Sequence, residues 1–209
     1  MSDACKKLDA VLFDFGGVLT DPEPIKEELH RYEAQLDLPE GAIVMTLGAG
    51  PVWEAVSTGA ISEDEYWGQV SAEFVSALPP AFGRFRHGSL PYEELNPDML
   101  GLVRMLRGQT KIGLLSNATI SLAGYLRRLP AVSELFDDIV ISAEVGLRKP
   151  DPAIYQLAAQ RLSAGIGRCV LVDDKARNTL AAQAAGMLAI IYESPAKLRQ
   201  ELRGLGLDV

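Results

Sequence analysis

The sequence predicts an α/β protein, a doubly wound parallel sheet with a small helical cap inserted after its first strand. Three observations carry this. Short apolar runs bounded by turn residues read as strands buried on both faces, as in parallel sheets. From residue 96 onward these runs alternate with amphipathic helical stretches, the βαβα order that builds such a sheet. Between the first run and about Leu90, helix signals recur and no strand pattern appears. The division that follows is 1–21 with 91–209 as the core and 22–90 as the helical cap.

The elements follow in order. Ala10–Phe15 is the first strand, and Gly16-Gly17 ends it by freeing the backbone to turn. Pro22 and Pro24 hold off any helix before the polar segment Ile25–Leu36. Pro39, Gly41, Gly48, Gly50-Pro51 and Gly59 then cut the chain into short helical pieces. Ser62-Glu63-Asp64-Glu65 has the pattern of a capping box and opens a helix reaching about Ala77. Trp53, Tyr66, Trp67 and Phe74 fall in this region and read as a small helical core rather than a ligand cage.

Asn96-Pro97 pairs an N-cap with a first-turn proline, and Met99, Leu100, Leu102, Val103 and Leu106 give that helix one apolar face. Lys111–Leu115 is the second strand, ending at Ser116-Asn117. A helix over Leu122–Leu129 and a third strand, Asp138–Ser142, come next. Asp151-Pro152 repeats the cap-plus-proline device before a helix with Ile154, Leu157, Ala158 and Leu162 on one side. Cys169–Val172 is the fourth strand, ending at Asp173-Asp174. The helix after it runs to about Ala185 and stops at Gly186. Leu188–Ile191 is the fifth strand, and Ser194-Pro195 opens the last helix.

Composition narrows the function classes. Hydrophobic content of 48% and charged content of 23% are ordinary for a globular protein. A net charge of −8 argues against a nucleic-acid or anionic-membrane partner, which would want a basic face. It leaves anionic small molecules open, because a bound metal inverts the local field. Cys5 and Cys169 offer no disulfide framework, and no run is long enough to span a bilayer, so a soluble cytoplasmic protein is expected. His30 and His87 are isolated and read as surface residues.

The chemistry concentrates at strand ends, which in one parallel sheet point to one rim. Asp14 follows the first strand, Ser116-Asn117 the second, Lys149 lies in the loop after the third, and Asp173-Asp174 follow the fourth. Clustered carboxylates describe a hard-cation site, and Mg²⁺ binds through few carboxylates plus water and substrate phosphate. Asp14 is the candidate nucleophile, since aspartate can form an aspartyl-phosphate. Lys149 offers a point charge for a phosphoryl oxygen or for keeping Asp14 ionised. Ser116, Asn117 and Gly17 are the candidate phosphate-binding groups. Asp14, Gly16, Asp174 and Asp173 are the candidate metal site, with Asp174 favoured as ligand and Asp173 as support. Asn178 either orients Lys149 or faces solvent.

With these residues in view the chain resembles the haloacid dehalogenase superfamily. Phe13-Asp14-Phe15-Gly16-Gly17-Val18-Leu19 resembles its first motif and Leu115-Ser116-Asn117 its second. Gly146-Leu147-Arg148-Lys149-Pro150 resembles the third, and Leu171-Val172-Asp173-Asp174 with Asn178 the fourth. The resemblance runs from about Leu8 to Tyr192, nearest to sugar-phosphate phosphatases and the N-terminal phosphatase domain of soluble epoxide hydrolases. It implies a Rossmann-like core with a helical cap, Mg²⁺ as cofactor, and a Gly16 carbonyl that ligates the metal. One departure stands out. Family phosphatases carry a second aspartate two residues after the nucleophile, as the acid and base for leaving group and water, and here that position is Gly16. Asp21 is a substitute in principle, although beside Pro22 it reads as a turn cap.

Three functions compete. The first is a Mg²⁺-dependent phosphomonoester hydrolase acting on a small molecule. The second is a metal-independent 2-haloacid dehalogenase, which the resemblance would associate with a hydroxyl residue at Val18 and no paired aspartates in the fourth motif. The third is a non-catalytic module that binds phosphate compounds or a partner protein, kept open by Gly16. Fold alone does not choose among them.

Overall fold

A computed structural model of the chain describes residues 7–73 and 95–209. Five parallel strands form one sheet in the order β3-β2-β1-β4-β5. They are β1 (Ala10–Phe13), β2 (Lys111–Ser116), β3 (Asp138–Ile141), β4 (Cys169–Asp173) and β5 (Leu188–Ile191). Strand β1 is central, its four side chains wholly buried. Val11 and Phe13 face one apolar layer with the helices α5 (Pro97–Leu106) and α11 (Pro195–Gly204). Ala10 and Leu12 face the other, with α9 (Pro152–Arg161) and α10 (Ala176–Ala184). A side chain such as Leu12, without exposure on either face, contributes enough that truncation to alanine costs about 2–5 kcal/mol.

The expected strands all form, with ends displaced by a residue or two. The Asp14 N–H still reaches the Val172 carbonyl at 2.9 Å, but the Phe15 N–H turns to the Asp14 carboxylate, and pairing of β1 ends there. Strands β2 and β4 run one residue further than expected, because Ser116 and Asp173 still pair with Ile141 and Ile191. Strand β3 ends at Ile141, where Ser142 opens the short helix α8 (Ser142–Val145). Helix α6 (Ile120–Arg128) starts two residues early, and α7 (Pro130–Ser133), a single turn, has no periodicity long enough to read.

The capping devices work as their residue types require. The Asn96 side chain accepts from the amides of Asp98 and Met99, Asp151 from Ala153, and Ser194 from Lys197. Such a cap stabilises its helix by about 1 kcal/mol. In the predicted capping box the Ser62 amide donates to Glu65 Oε2 at 2.8 Å and the Glu65 amide to Ser62 Oγ at 3.2 Å.

Between β1 and α5 lie α1 (Glu23–Gln35), α2 (Ala42–Gly48), α3 (Gly50–Ser57) and α4 (Glu63–Glu73). Their small core includes the edge-to-face pairs Trp53–Tyr66 and Tyr66–Trp67, the packing role expected of these rings. Buried Glu33 had no signal in the sequence. Its carboxylate accepts from the amides of Gly41 and Ile43, joining α1 to the start of α2. Several contacts among the described residues join the helical segment to the sheet domain. Arg148 pairs with Glu54 at 3.1 Å, the Ser121 amide donates to Glu63 at 2.7 Å, and Gly59 lies so close to the Ala143 carbonyl that a Cβ would sit at 2.6 Å.

Cys169 is buried as a free thiol, and His30 is partly exposed beside Glu40. Cys5, Phe74, His87 and the expected end of a helix at Ala77 lie outside the described residues. No helix among the described residues is long and apolar enough to cross a membrane.

Candidate active site

The strand ends bring Asp14, Ser116, Asn117, Lys149 and Asn178 around one cavity of about 160 Å³, closed on one side by Gly48 and Trp53 of the helical segment. A larger depression of about 630 Å³ lies at the opposite rim, among residues that precede the strands. The residues at the carboxyl ends of the strands, where open α/β sheets place their ligands, line the smaller cavity instead.

Asp14 sits just past β1 and is 5% exposed. Its Oδ1 accepts from the Phe15 amide at 2.7 Å and from Lys149 Nζ at 3.0 Å, while Oδ2 has no partner among the described residues. Lys149, 1% exposed, also donates to Asp173 Oδ2 at 2.6 Å. One buried ammonium therefore serves two carboxylates. Burial pushes the Asp14 carboxyl up to about 6, against the opposing charge of Lys149 and with the help of Asp173. Burial works against the lysine's charge too, but the two carboxylates outweigh it and hold its pKa above the usual value.

The lysine is braced from its backbone outward. Its N–H donates to Asn117 Oδ1 at 2.8 Å, and Asn117 Nδ2 donates back to the Lys149 carbonyl at 2.7 Å. The Asn117 side chain is thereby committed to the lysine loop, leaving its main chain for any contact with phosphate. Asp173 is held in turn by Asn178 Nδ2, at 2.9 and 3.0 Å, and by the Lys175 amide at 2.9 Å. Asn178 is 2% exposed, which removes the solvent-facing reading, and it orients Lys149 only through Asp173. Tyr155, which the sequence did not single out, fixes this asparagine by donating its hydroxyl to the Asn178 carbonyl.

Asp14, Asp173 and Asp174 each offer an oxygen within 4.8 Å of the others, a set that suits a hard cation. Their surroundings differ. Both Asp173 oxygens already accept hydrogen bonds, whereas Asp174 Oδ1 is buried with no partner. An orphaned carboxylate oxygen is costly unless a cation completes it, so the residues fit a divalent ion held by Asp14 and Asp174, with Asp173 as support. Burial raises the Asp174 carboxyl, as expected of a ligand awaiting its charge partner. Gly17 makes the approach possible. It has φ of +82°, and a Cβ there would stand 2.7 Å from Asp174 Oδ2.

Ser116 is 4% exposed and lines the same cavity, and its hydroxyl has no hydrogen-bond partner among the described residues. Gly16 lines the cavity with open space where a side chain would stand. Asp21 is not at the site. Its Oδ1 accepts from the Glu23 amide at 3.0 Å, as a turn cap does. The lining also includes Arg148, Lys175 and Arg177, which the sequence reading did not assign. Their one signal was proximity in sequence to Lys149 and to the paired aspartates.

Known proteins resemble this chain in sequence and in fold. The chain is 30% identical to a sesquiterpene phosphatase of Aspergillus oryzae over 96% of its own length and 98% of the relative's. It is 26% identical to bifunctional epoxide hydrolase 2 of Rattus norvegicus over 93% of its own length, spanning 38% of that protein. A HAD family enzyme of Bacteroides thetaiotaomicron, solved as a magnesium complex, superposes with a TM-score of 0.74 at 19% identity, over 95% of this chain and all of that one. The family profile described as haloacid dehalogenase-like hydrolase matches residues 8–186, a span that takes in every strand end of the cavity. With that match and the full-length relative, the chain belongs to the haloacid dehalogenase-like hydrolases.

Proposed function

We propose that this hydrolase is a Mg²⁺-dependent phosphatase of small phosphomonoesters that works through an aspartyl-phosphate on Asp14. The observation that carries the reading is the unpartnered Asp14 Oδ2, held at the floor of a cavity beside a braced lysine and an orphaned Asp174 oxygen. The magnesium complex of the similarly folded Bacteroides enzyme and the phosphatase names among relatives support it.

In this reading Asp14 Oδ2 bonds to phosphorus as the bond to the ester oxygen breaks. The electron pair leaves on that oxygen, which takes a proton from water. A second water then cleaves the aspartyl-phosphate, and Oδ1 stays tied to Lys149 and the Phe15 amide throughout. Lys149 offsets charge growing on the phosphoryl oxygens, a stabilisation that needs no reorganisation because four contacts already fix it. The Ser116 hydroxyl, the Asn117 main chain and the turn at Gly17 receive the remaining oxygens. Asp14, Asp174 and the Gly16 carbonyl would hold Mg²⁺, which when bound would supply further neutralisation of the transferring group. The helical segment, as a cap, excludes water while transfer occurs.

The test is a panel of phosphomonoesters with 2-haloacids alongside, with and without Mg²⁺. Phosphate release that needs Mg²⁺ and is abolished in Asp14→Asn supports the reading. Halide release that survives exhaustive chelation overturns it in favour of the dehalogenase, and no turnover of either class overturns both.

A further inference from the structure

The cavity over Asp14 holds more positive charge than a single phosphoryl group uses. Arg148, Lys149, Lys175 and Arg177 line it, against the one carboxylate of Asp14. Lys149 is already engaged by Asp14 and Asp173. Arg148 meets Glu54 at 3.1 Å, yet its Nε–H is buried and finds no acceptor among the described residues. The side chains of Lys175 and Arg177 have no ion pair or hydrogen bond among the described residues. A hydrated collar of surface charge is the ordinary state of such groups. Here the collar borders a small cavity with a nucleophile at its floor, and one of its donors is buried and unsatisfied.

A second, independent observation concerns the leaving group. Position 16 has no side chain, and Asp21 is turned away to the Glu23 amide. Among the described residues no carboxyl group besides Asp14 lines the cavity to serve as the acid for a departing alkoxide. The chain instead offers three cationic groups where a departing anion would need them.

We propose, building on the phosphatase reading above, that the substrate is an organic diphosphate whose terminal phosphoryl group is removed, with Lys175, Arg177 and Arg148 holding the phosphate that departs. Asp14 Oδ2 forms a bond to the terminal phosphorus as the bond from that phosphorus to the bridging oxygen breaks. The electron pair stays on the bridging oxygen, which leaves as part of an organic phosphate monoester. The second ionisation of such a monoester lies at about 6, so at neutral pH it departs as a stable anion with no proton transferred. An alkoxide approaches the basicity of hydroxide, whose parent water has a pKa of about 15.7, and needs that proton. Water then attacks the phosphorus of the aspartyl-phosphate and the bond to Asp14 breaks. The carboxylate returns, and the water proton stays with the released inorganic phosphate.

The experiment compares an alkyl diphosphate with the monophosphate of the same alkyl chain, in excess Mg²⁺, by kcat/KM and by product analysis. The diphosphate should be preferred, and the organic monophosphate should accumulate before any alcohol. Lys175→Ala and Arg177→Ala should each lower the diphosphate-to-monophosphate ratio by about 10-fold, the weight of one charge-assisted contact. Both side chains are exposed, so these variants should fold. As an equilibrium check, methylenediphosphonate should inhibit more strongly than methylphosphonate, by a margin that shrinks in both variants. Turnover of both substrates with no preference, or a preference unmoved by either variant, overturns this proposal and leaves the phosphatase reading intact. Preference for a bisphosphate with separated groups overturns it as well. Failure to turn over any phosphate ester overturns the two together.

Discussion

Replacing Gly17 by alanine tests the metal geometry with a single methyl group. The residue has φ of +82°, where a side chain costs about 1–2 kcal/mol. The added Cβ would stand 2.7 Å from Asp174 Oδ2 and 2.9 Å from its Cγ, so the carboxylate has to retreat by about 0.7 Å to reach an ordinary 3.4 Å contact. In a chain of this size each kcal/mol lowers Tm by about 2–4 °C, so a modest fall is expected without Mg²⁺. The larger effect should be on the metal, since displacement of the groups that place a ligand costs about 10–100-fold in affinity. Gly16→Ala is the built-in control. It makes the same chemical change one residue away, where a Cβ meets nothing within 4 Å and φ is not positive. The assay is the Mg²⁺ concentration giving half-maximal phosphatase activity, read beside thermal melts with and without Mg²⁺. A Gly17→Ala protein whose Mg²⁺ midpoint stays within twofold of wild type would refute the placement of Asp174 as a ligand.

Four further outcomes follow from the same contacts. Lys149→Ala leaves Asp14 and Asp173 buried without their cation, which should destabilise the fold by about 3–5 kcal/mol and abolish turnover, and Lys149→Arg should rescue little because a planar fork does not fit a point-charge site; melts and kcat/KM together check this. Asp174→Ala should raise the Mg²⁺ midpoint with little loss of Tm, whereas Asp173→Ala should lower Tm and kcat by freeing Lys149 and Asn178; similar effects from both would show that their roles are not divided. Gly16→Asp fits the open space beside the nucleophile and should speed alkyl phosphates by up to about 10²–10⁴-fold, as general acid–base help does, while aryl phosphates gain less; a uniform change would show that proton transfer is not the missing element. In metal-free protein Asp14 holds its proton more tightly folded than unfolded, so its contribution to stability falls as pH rises from about 4 towards about 6; melts across that window should lose this slope in Asp14→Asn or in saturating Mg²⁺.

The order of elements was legible in the sequence because each signal was local. Apolar runs such as AVLF and CVLV fit only strands buried on both faces, and Asn96, Asp151 and Ser194 marked helix starts by residue type alone. Once the strands were parallel, their carboxyl ends had to share a rim, and that placed Asp14, Ser116, Lys149 and Asp173 together without further information. Element ends slipped by a residue or two where hydrogen bonding outlasts the apolar run, as at Ser116 and Asp173.

The sequence by itself thus determined the sheet, its cap-sized insertion and the set of groups at the rim. Only the tertiary structure decided what each group does there. Asp173 and Asp174 are identical side chains on adjacent residues, so nothing local could say that one is saturated by Lys149 and Asn178 while the other keeps a bare oxygen. Asn117 could not be seen turning to the Lys149 backbone, which lies 32 residues on. Nor could Trp53, Arg148, Lys175 and Arg177 be placed on one cavity, because the direction of a side chain depends on the partner elements packed around it. Strand ends follow from periodicity, but the direction in which a charge points is set by long-range packing.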